Sequence, residues 1–458
     1  MPDFANMSLD ALIRPKGHRC ACGKTHTCAL KYLRIGRGVI AEVPKLVAAM
    51  GRKKPFVVCD ENTWEVAGRR VDAELTAAGI GHAVYVIPKE KPENDRIAPS
   101  EWEVGSLIMH LDPGCDMLLA VGSGVINDIC KVAGRATGRP TAVVGTAPSM
   151  DGFASNNAAM EMNHVKVSLY TAVPEGILLD SEILAQAPMR MLWAGLGDMV
   201  AKYIAICEWR ISHLITDEYY CEDVAALMRA ALARIMAVAD RIPRRDPDAI
   251  AAVAEGLVLA GIGMAYAGIS RPASGLEHYF SHMWEMMALE RGLPYDLHGI
   301  QVGIGTVLTL RIYQKLMTVT PDRARAEAHM RDFDRGVWEA QVKRIFGRTA
   351  GQIIAIEDKV RKNDPQRHAR RLDRIIDHWD EIQSIVREEL PDARWLYDTL
   401  ADTGMPMTPR DIGICDDDVV DAFLGSRDIR DKYLSCSVIW DLGMTDDFAE
   451  YIREILKG

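Results

Sequence analysis

Four side chains in the middle of this chain have the types and spacing to work around a divalent cation. They are Asp198 in Ala194-Gly-Leu-Gly-Asp198, His278 and His282 in Gly275-Leu-Glu-His-Tyr-Phe-Ser-His282, and His298 in Asp296-Leu-His-Gly299. Two imidazoles and one carboxylate can hold such an ion and leave a coordination position open for a substrate oxygen. His278 and His282 are four residues apart, so on a helix they share a face, and one can bind metal while the other meets substrate. Any one of them alone is more often an ordinary polar residue, and the 12 histidines are spread along the chain.

Two further segments suit a nucleotide and a small polar substrate. Val121-Gly-Ser-Gly-Val-Ile-Asn-Asp128 follows an apolar run and opens a helical pattern. Gly122 and Gly124 allow close backbone approach, and Ser123, Val125 and Ile126 stand at a helix N-terminus, whose N–H groups favour a pyrophosphate. Asn127 occupies the place of the third glycine of a GxGxxG fingerprint, so an ordinary strand-to-helix turn explains the motif equally well. Gly145-Thr-Ala-Pro-Ser-Met-Asp-Gly-Phe-Ala-Ser155 follows another apolar run, and its small and hydroxyl residues suit a loop lining a ligand. Within it Asp151 can accept hydrogen bonds from substrate hydroxyls; alternatively Asp151 or Ser149 caps the next turn. A separate cluster, Cys20, Cys22, His26 and Cys28, places four soft ligands within nine residues. Its Cys-x-Cys spacing is tighter than that of common structural zinc sites, and a turn at Gly23 leading into a strand Ala29 to Ile35 accounts for the same residues.

The elements that must position these groups follow from periodicity. Pro55–Asp60, His82–Ile87, Asp116–Gly122 and Thr141–Gly145 are short apolar runs between amphipathic segments such as Thr63–Ala78, the pattern of a parallel sheet covered on both faces. A loop with Pro88, Pro92 and Pro99 follows the second run. After about Asp180 strand signals stop, and helical stretches follow, including Leu184–Arg210, Glu222–Arg241, Ala249–Ile269 and Gln301–Leu316. The highly charged 323–387 region reads as solvated outer helices. The expectation is an α/β nucleotide-binding domain over 1–180, Rossmann-like, and an all-helical metal- and substrate-binding domain over 181–458, with the active site in the cleft between them.

Composition narrows the class. With 458 residues, 48% of them hydrophobic, and a net charge of -10, the chain suits a large enzyme core and lacks the basic runs of a nucleic-acid binder. Met1–Pro15 has no apolar run of signal-peptide length, and the Gly/Ala-rich stretch Ala251–Ile269, interrupted by Glu255, reads as a buried helix rather than a membrane span. Ten scattered cysteines suit free thiols in a reducing cytosol. The expected location is therefore cytoplasmic, without membrane insertion or nucleic acid.

Taken together these motifs resemble the iron-type alcohol dehydrogenase and dehydroquinate synthase superfamily, and within it the bacterial branch of the sn-glycerol-1-phosphate dehydrogenases. The resemblance rests on Gly122-Ser-Gly-Val-Ile-Asn-Asp128, Thr146-Ala-Pro-Ser-Met-Asp-Gly-Phe153, Gly195-Leu-Gly-Asp198, Gly275-Leu-Glu-His278, His298-Gly-Ile-Gln-Val-Gly303, Ile429-Arg-Asp-Lys-Tyr433 and Cys20-Ala-Cys-Gly-Lys-Thr-His26. It implies reduction of dihydroxyacetone phosphate, a small phosphorylated substrate, to sn-glycerol 1-phosphate by NAD(H) or NADP(H), in a homo-oligomer that is a dimer or larger. By resemblance Asp60 would bind the adenosine ribose, Gly122, Ser123, Gly124, Val125 and Ile126 the pyrophosphate, and Thr146, Ala147, Pro148, Ser149 and Ser155 other parts of the cofactor. Asp151, Asp198 and His282 would contact substrate and serve catalysis, and Asp198, His278 and His298 would hold one divalent metal. An acid at the end of the first strand favours NAD over NADP. Iron-dependent members resemble one another in carrying a His four residues after the metal Asp; here that position is Lys202, and three ligands suit Zn or Ni better than Fe. Another polyol or polyol-phosphate dehydrogenase, or a dehydroquinate-synthase-like cyclase, would use the same scaffold.

Overall fold

Four strands, three of them among the apolar runs, are buried along their whole length because they are interior strands of one parallel sheet. In the computed structural model, which describes residues 2–89, 97–162 and 165–457, these are Pro55–Asp60, Met117–Gly122, Thr141–Gly145 and Gly176–Asp180. The half-buried strands Tyr32–Gly36 and Ala83–Ile87 form the two edges. The spatial order is Tyr32–Gly36, Gly176–Asp180, Thr141–Gly145, Met117–Gly122, Pro55–Asp60, Ala83–Ile87, every pairing parallel. Helices supply the crossovers that parallel pairing demands. On one face Val43, Leu46 and Val47 of the helix Val43–Ala49, with Val71 and Leu75 of Arg69–Ala77, pack on Val57, Leu119, Val121, Val144 and Leu178. Truncating a residue such as Leu119 to alanine there costs ~2–5 kcal/mol.

Gly176–Asp180 is a strand the sequence reading did not isolate. Its apolar core is only Ile177-Leu-Leu179, too short to separate from the helical region that follows. The strand expected over Ala29–Ile35 is displaced to Tyr32–Gly36, where it pairs with Gly176–Asp180. Two antiparallel hairpins, His18–Arg19 with Thr25–His26 and Asn157–Met162 with Val165–Tyr170, were also unforeseen. Pro92, one of the three loop prolines, lies outside the described residues.

Beyond Asp180 every described regular element is a helix, in line with the expected helical character of that half. Its helices are cut more finely than periodicity implied. Leu184–Arg210 is divided near Pro188 and Ala201 into Met189–Val200 and Lys202–Thr216, and the charged 323–387 region holds four α-helices and most of a fifth, Trp379–Glu389. The described residues group into two compact units, 1–199 with 221–272, and 200–220 with 273–458. This does not coincide with a single boundary at residue 180. The helices Glu222–Met236 and Pro247–Ala267 pack into the first unit although they follow helix Lys202–Thr216 of the second.

Pro247–Ala267 is long and apolar enough to cross a membrane, with a mean hydropathy of 1.8, but 72% of that window is buried within the protein. A side chain at Gly261 would lie 2.7 Å from the Ala154 Cβ, so this glycine lets the helix seat directly on the 151–155 segment. Its Glu255 pairs with Arg234 of Glu222–Met236 at 3.3 Å. These are the features of a core helix.

One glycine contact carries a prediction. Gly195, in the helix Met189–Val200, faces the Pro148 carbonyl so closely that a Cβ would sit 1.8 Å from its oxygen. Ala has the better helix propensity, by ~1 kcal/mol, but backbone cannot yield as a flexible side chain can. Gly195→Ala is expected to lower stability by ~1–3 kcal/mol and to displace the Thr146–Ser149 loop, weakening NADH binding about tenfold. Denaturant unfolding and a cofactor titration measure both; a variant at least as stable as the parent would mean the helix and loop do not approach this closely.

Candidate active site

The sheet places two sequence-predicted groups side by side. Asp60 ends its strand next to the strand ending in Gly122, the two being paired through Val58 and Ala120. From the first of these strands the chain runs outward to the Ala83–Ile87 edge; from the second it runs the opposite way, toward Thr141–Gly145. Such a reversal opens a crevice at the carboxyl ends of the strands, where nucleotides bind in doubly wound sheets.

Local chemistry then shapes the crevice. A Cβ at Gly122 would lie 2.6 Å from Ile126, so only glycine lets the helix Gly124–Thr137 begin directly over the strand end. Ser123 stands at the N-cap but makes no side-chain cap there; its hydroxyl donates to the Ala147 carbonyl at 3.0 Å and lies 2.7 Å from Ser149 Oγ. The first-turn N–H groups, which no intrahelical carbonyl can satisfy, are thereby left to a ligand. The Thr146 N–H donates to the Gly122 carbonyl at 3.1 Å, so the two turns brace each other. The Asn127 side chain donates to the Gly152 carbonyl at 3.3 Å, giving this residue a positioning use where a fingerprint glycine would only allow packing. The Ser155 hydroxyl is spent on its own turn, donating to the carbonyls of Gly152 and Asn157 at 3.4 and 3.2 Å.

Asp60 has a structural task as well. Its Oδ1 accepts from the Thr63 N–H at 2.7 Å while Thr63 Oγ1 accepts from the Asp60 N–H at 2.9 Å, a reciprocal helix cap. Asp60→Ser is therefore expected to keep the cap and remove only the charge, weakening NADH use and improving NADPH use, a change of about tenfold or more in the ratio of their kcat/KM values. Asp60→Gly would change the same ratio and destabilise the turn as well. An unchanged ratio in both variants would place Asp60 away from the ribose.

Asp151 opens a short 3-10 turn, Asp151–Ala154, and its N–H donates to Asp198 Oδ2 at 2.8 Å. These two predicted substrate-contacting acids are thus brought together within the first unit, with Asp198 fully buried.

The histidines lie together in the second unit. His278 and His282 face the same way from the helix Leu276–Arg291, and His298 begins the helix His298–Leu316. Ring centroids are 5.3 Å apart for His278 and His298, 5.4 Å for His282 and His298, and 6.3 Å for His278 and His282. Glu208 holds the start of the first helix, accepting from the Leu276 and Ser435 N–H groups at 2.8 and 2.9 Å; burial, with the neighbouring Glu277 charge, pushes its carboxyl up to about 7.

The residues the sequence reading missed are the carboxylates behind these rings. Glu277 Oε1 lies 2.8 Å from His278 Nδ1 and also accepts from the Gly275 N–H. Buried Glu285 lies 3.2 Å from His298 Nδ1, where Ser281 Oγ also sits at 3.0 Å, and 3.9 Å from His282 Nδ1. Glu285 follows His282 by three residues on one helix, but its contact with His298 joins two helices and leaves no local sequence cue. A carboxylate on Nδ1 fixes the tautomer and leaves Nε2 as the electron-pair donor, the usual support of a metal-binding imidazole. The donor sets of His278 and His298 therefore fit a divalent cation. Glu285, His282 and His298 also gather closely enough to suggest a second ligand group, but Glu285 faces the Nδ1 atoms of both rings and serves better as their orienting acceptor. Burial lowers the His282 pKa to about 3; the Arg430 charge adds to this and Glu285 opposes it. Lys202 is buried, and its Nζ donates to the Ala273 carbonyl at 3.2 Å.

Residues 34–188 match the family model described as iron-containing alcohol dehydrogenase. The chain is 35% identical over 296 residues, 64% of its length, to the glycerol-1-phosphate dehydrogenase [NAD(P)+] of Halalkalibacterium halodurans, of which the match covers 74%. It is 29% identical to the enzyme of the same name from Bacillus velezensis, covering 88% of this chain and 90% of that one. The Methanosarcina acetivorans enzyme of that name is 34% identical over 61% of this chain and 75% of its own. In fold, the chain is similar to glycerol dehydrogenase from Schizosaccharomyces pombe, with a TM-score of 0.60 at 14% identity over 94% of this chain and 93% of that one. It is also similar to an NADH-dependent butanol dehydrogenase from Thermotoga maritima, with a TM-score of 0.58 at 15% identity over 96% and 99%.

Proposed function

We propose that this chain, which belongs to the glycerol-1-phosphate dehydrogenase family of the iron-containing alcohol dehydrogenase superfamily, uses NAD(P)H to reduce dihydroxyacetone phosphate to sn-glycerol 1-phosphate. The observation that carries this reading is its kinship with enzymes of that name along most of their length. The strand-end crevice at Gly122 and Asp60 and the carboxylate-backed histidines add the chemical means.

We assign the pyrophosphate to the first-turn N–H groups of Gly124–Thr137 and the adenosine ribose to Asp60, which favours NADH. Asp198, His278 and His298 are the proposed metal ligands, the histidines through Nε2, with Zn or Ni as the ion. When bound, that ion supplies Lewis-acid polarisation of the substrate ketone, and the reduced nicotinamide supplies the hydride. Glu277 and Glu285 keep the imidazoles in register, so no reorganisation is needed as negative charge grows on the substrate oxygen. Asp151 orients a substrate hydroxyl, and neutral His282 passes a proton toward the new alcohol. The working state proposed is a cytoplasmic homo-oligomer.

The test is NADH oxidation by the purified, metal-loaded protein with dihydroxyacetone phosphate and with dihydroxyacetone, followed by chiral analysis of the product. Preferred turnover of the phosphorylated ketone to the sn-1 product supports the reading. Preference for the unphosphorylated ketone makes the chain a polyol dehydrogenase, and turnover of a sugar-acid phosphate without net NADH loss makes it a cyclase.

A further inference from the structure

A second constellation of metal-ligand chemistry lies in the first unit, far along the sequence from the residues assigned to catalysis. The hairpin His18–Arg19 with Thr25–His26 turns at Cys20-Ala-Cys-Gly-Lys24, where the Gly23 N–H donates to the Cys20 carbonyl and the Cys20 N–H to the Lys24 carbonyl. This turn presents Cys20 and Cys22, and the returning strand presents His26. Cys28, which the sequence grouped with them, is not the fourth member. That place belongs to Cys221, the residue preceding helix Glu222–Met236, and the four ligand atoms all lie within 4.8 Å of one another.

The distances are those of a tetrahedral ion. Zinc with Zn–S of about 2.3 Å and Zn–N of about 2.0–2.1 Å sets its sulfurs about 3.8 Å apart and a sulfur about 3.5 Å from a nitrogen. Cys20 Sγ and Cys221 Sγ are 3.6 Å apart, Cys22 Sγ is 3.4 Å from His26 Nε2, and Cys221 Sγ is 3.5 Å from the same nitrogen. The supporting shell is also in place. His26 is fully buried, and its Nδ1 lies 2.8 Å from the Tyr266 carbonyl. That carbonyl accepts a hydrogen bond from Nδ1–H, which leaves the Nε2 lone pair facing the three sulfurs. Phe4 packs edge-on against the ring, with centroids 5.4 Å apart, and Tyr266 stacks on it at 5.4 Å. The Cys22 N–H reaches Cys20 Sγ at 3.4 Å, a backbone donor that stabilises a thiolate. Cys20 also donates to Asp223 Oδ2 at 3.0 Å; once that thiol is deprotonated, the carboxylate keeps the stabilisation of the first turn of Glu222–Met236.

We propose that Cys20, Cys22, His26 and Cys221 form a structural zinc site that fastens the N-terminal hairpin to the start of helix Glu222–Met236. All four positions are filled by protein, so the site is closed and does not bind substrate.

Cobalt separates this site from the catalytic one, because only this cluster contains thiolates. Protein grown with Co(II) is expected to show sulfur-to-cobalt charge-transfer absorption in the near ultraviolet. Cys28→Ser is expected to keep that band. Cys22→Ser and Cys221→Ser are expected to lose most of it, together with about one metal per chain and several degrees of melting temperature. A wild-type test needs no variant: mercurial titration of the native zinc-loaded protein should release about one zinc as three thiols react. Cobalt protein without the band, a band unchanged in both variants, or a Cys20–Cys221 disulfide in protein purified under reducing conditions would each overturn the proposal.

Discussion

His278→Ala is expected to leave the enzyme without its catalytic metal and to cut turnover by ~10³-fold or more, equivalent to about 4 kcal/mol of transition-state stabilisation. His298→Ala and Asp198→Ala should do the same. The reasoning starts from the Nδ1 side of each ring. Glu277 and Glu285 hold those atoms, so Nε2 of His278 and of His298 is set as a donor, and alanine leaves a coordination gap that water fills without restoring affinity. The carboxylates provide a graded control: Glu277→Gln or Glu285→Gln keeps the shape and weakens the support, with an expected loss of ~10–100-fold in metal affinity or activity. Metal content and kcat/KM on the same preparations decide the matter. Wild-type metal content and turnover in any one of the three alanine variants would remove that residue from the ligand set.

The second large effect concerns His282. It lies one turn from His278 on the helix Leu276–Arg291, with its ring 5.4 Å from that of His298, yet the proposed ligand set is complete without it. His282→Ala should therefore retain metal and lose turnover on the order of 10²-fold, the usual worth of a positioned proton donor or relay. Because burial keeps this imidazole neutral, its use is as a relay between two hydrogen-bond partners rather than as a stored proton. Loss of metal would make His282 a ligand. A lower melting temperature with unaltered kinetics would reduce it to packing within the helix pair.

Much of this was legible before any coordinates. Buried parallel strands are apolar along their whole length, so Pro55–Asp60 and Thr141–Gly145 could be read to the residue. The strand ends at Asp60 and Gly122 followed from where those runs stop, and the shared face of His278 and His282 from helical spacing; grouping His298 and Asp198 with them rested on the family resemblance. What stayed hidden depends on long-range partners. Gly176–Asp180 is a strand because Tyr32–Gly36 and Thr141–Gly145 flank it, not because three apolar residues demand one. Glu285 gains meaning only when His298 arrives on another helix, and Cys221 gives no local hint that it would stand beside His26, 195 positions earlier. Ser149, open to a capping and a ligand-binding reading, and Asp60, read only as a ribose ligand, both prove to be tied into local hydrogen bonds.

That separation also sets a timetable for synthesis. At ~5–20 residues per second, the hairpin bearing Cys20, Cys22 and His26 leaves the ribosome roughly 10–40 s before Cys221 can meet it. The whole parallel sheet is likewise made before Pro247–Ala267, the helix that seats on Ala154. A chain released after residue 199 would hold every strand of the sheet without the helix that seats on Ala154, and its thiols would be unclaimed. It should be a strong client for chaperones that hold apolar surface, and an early target for oxidation.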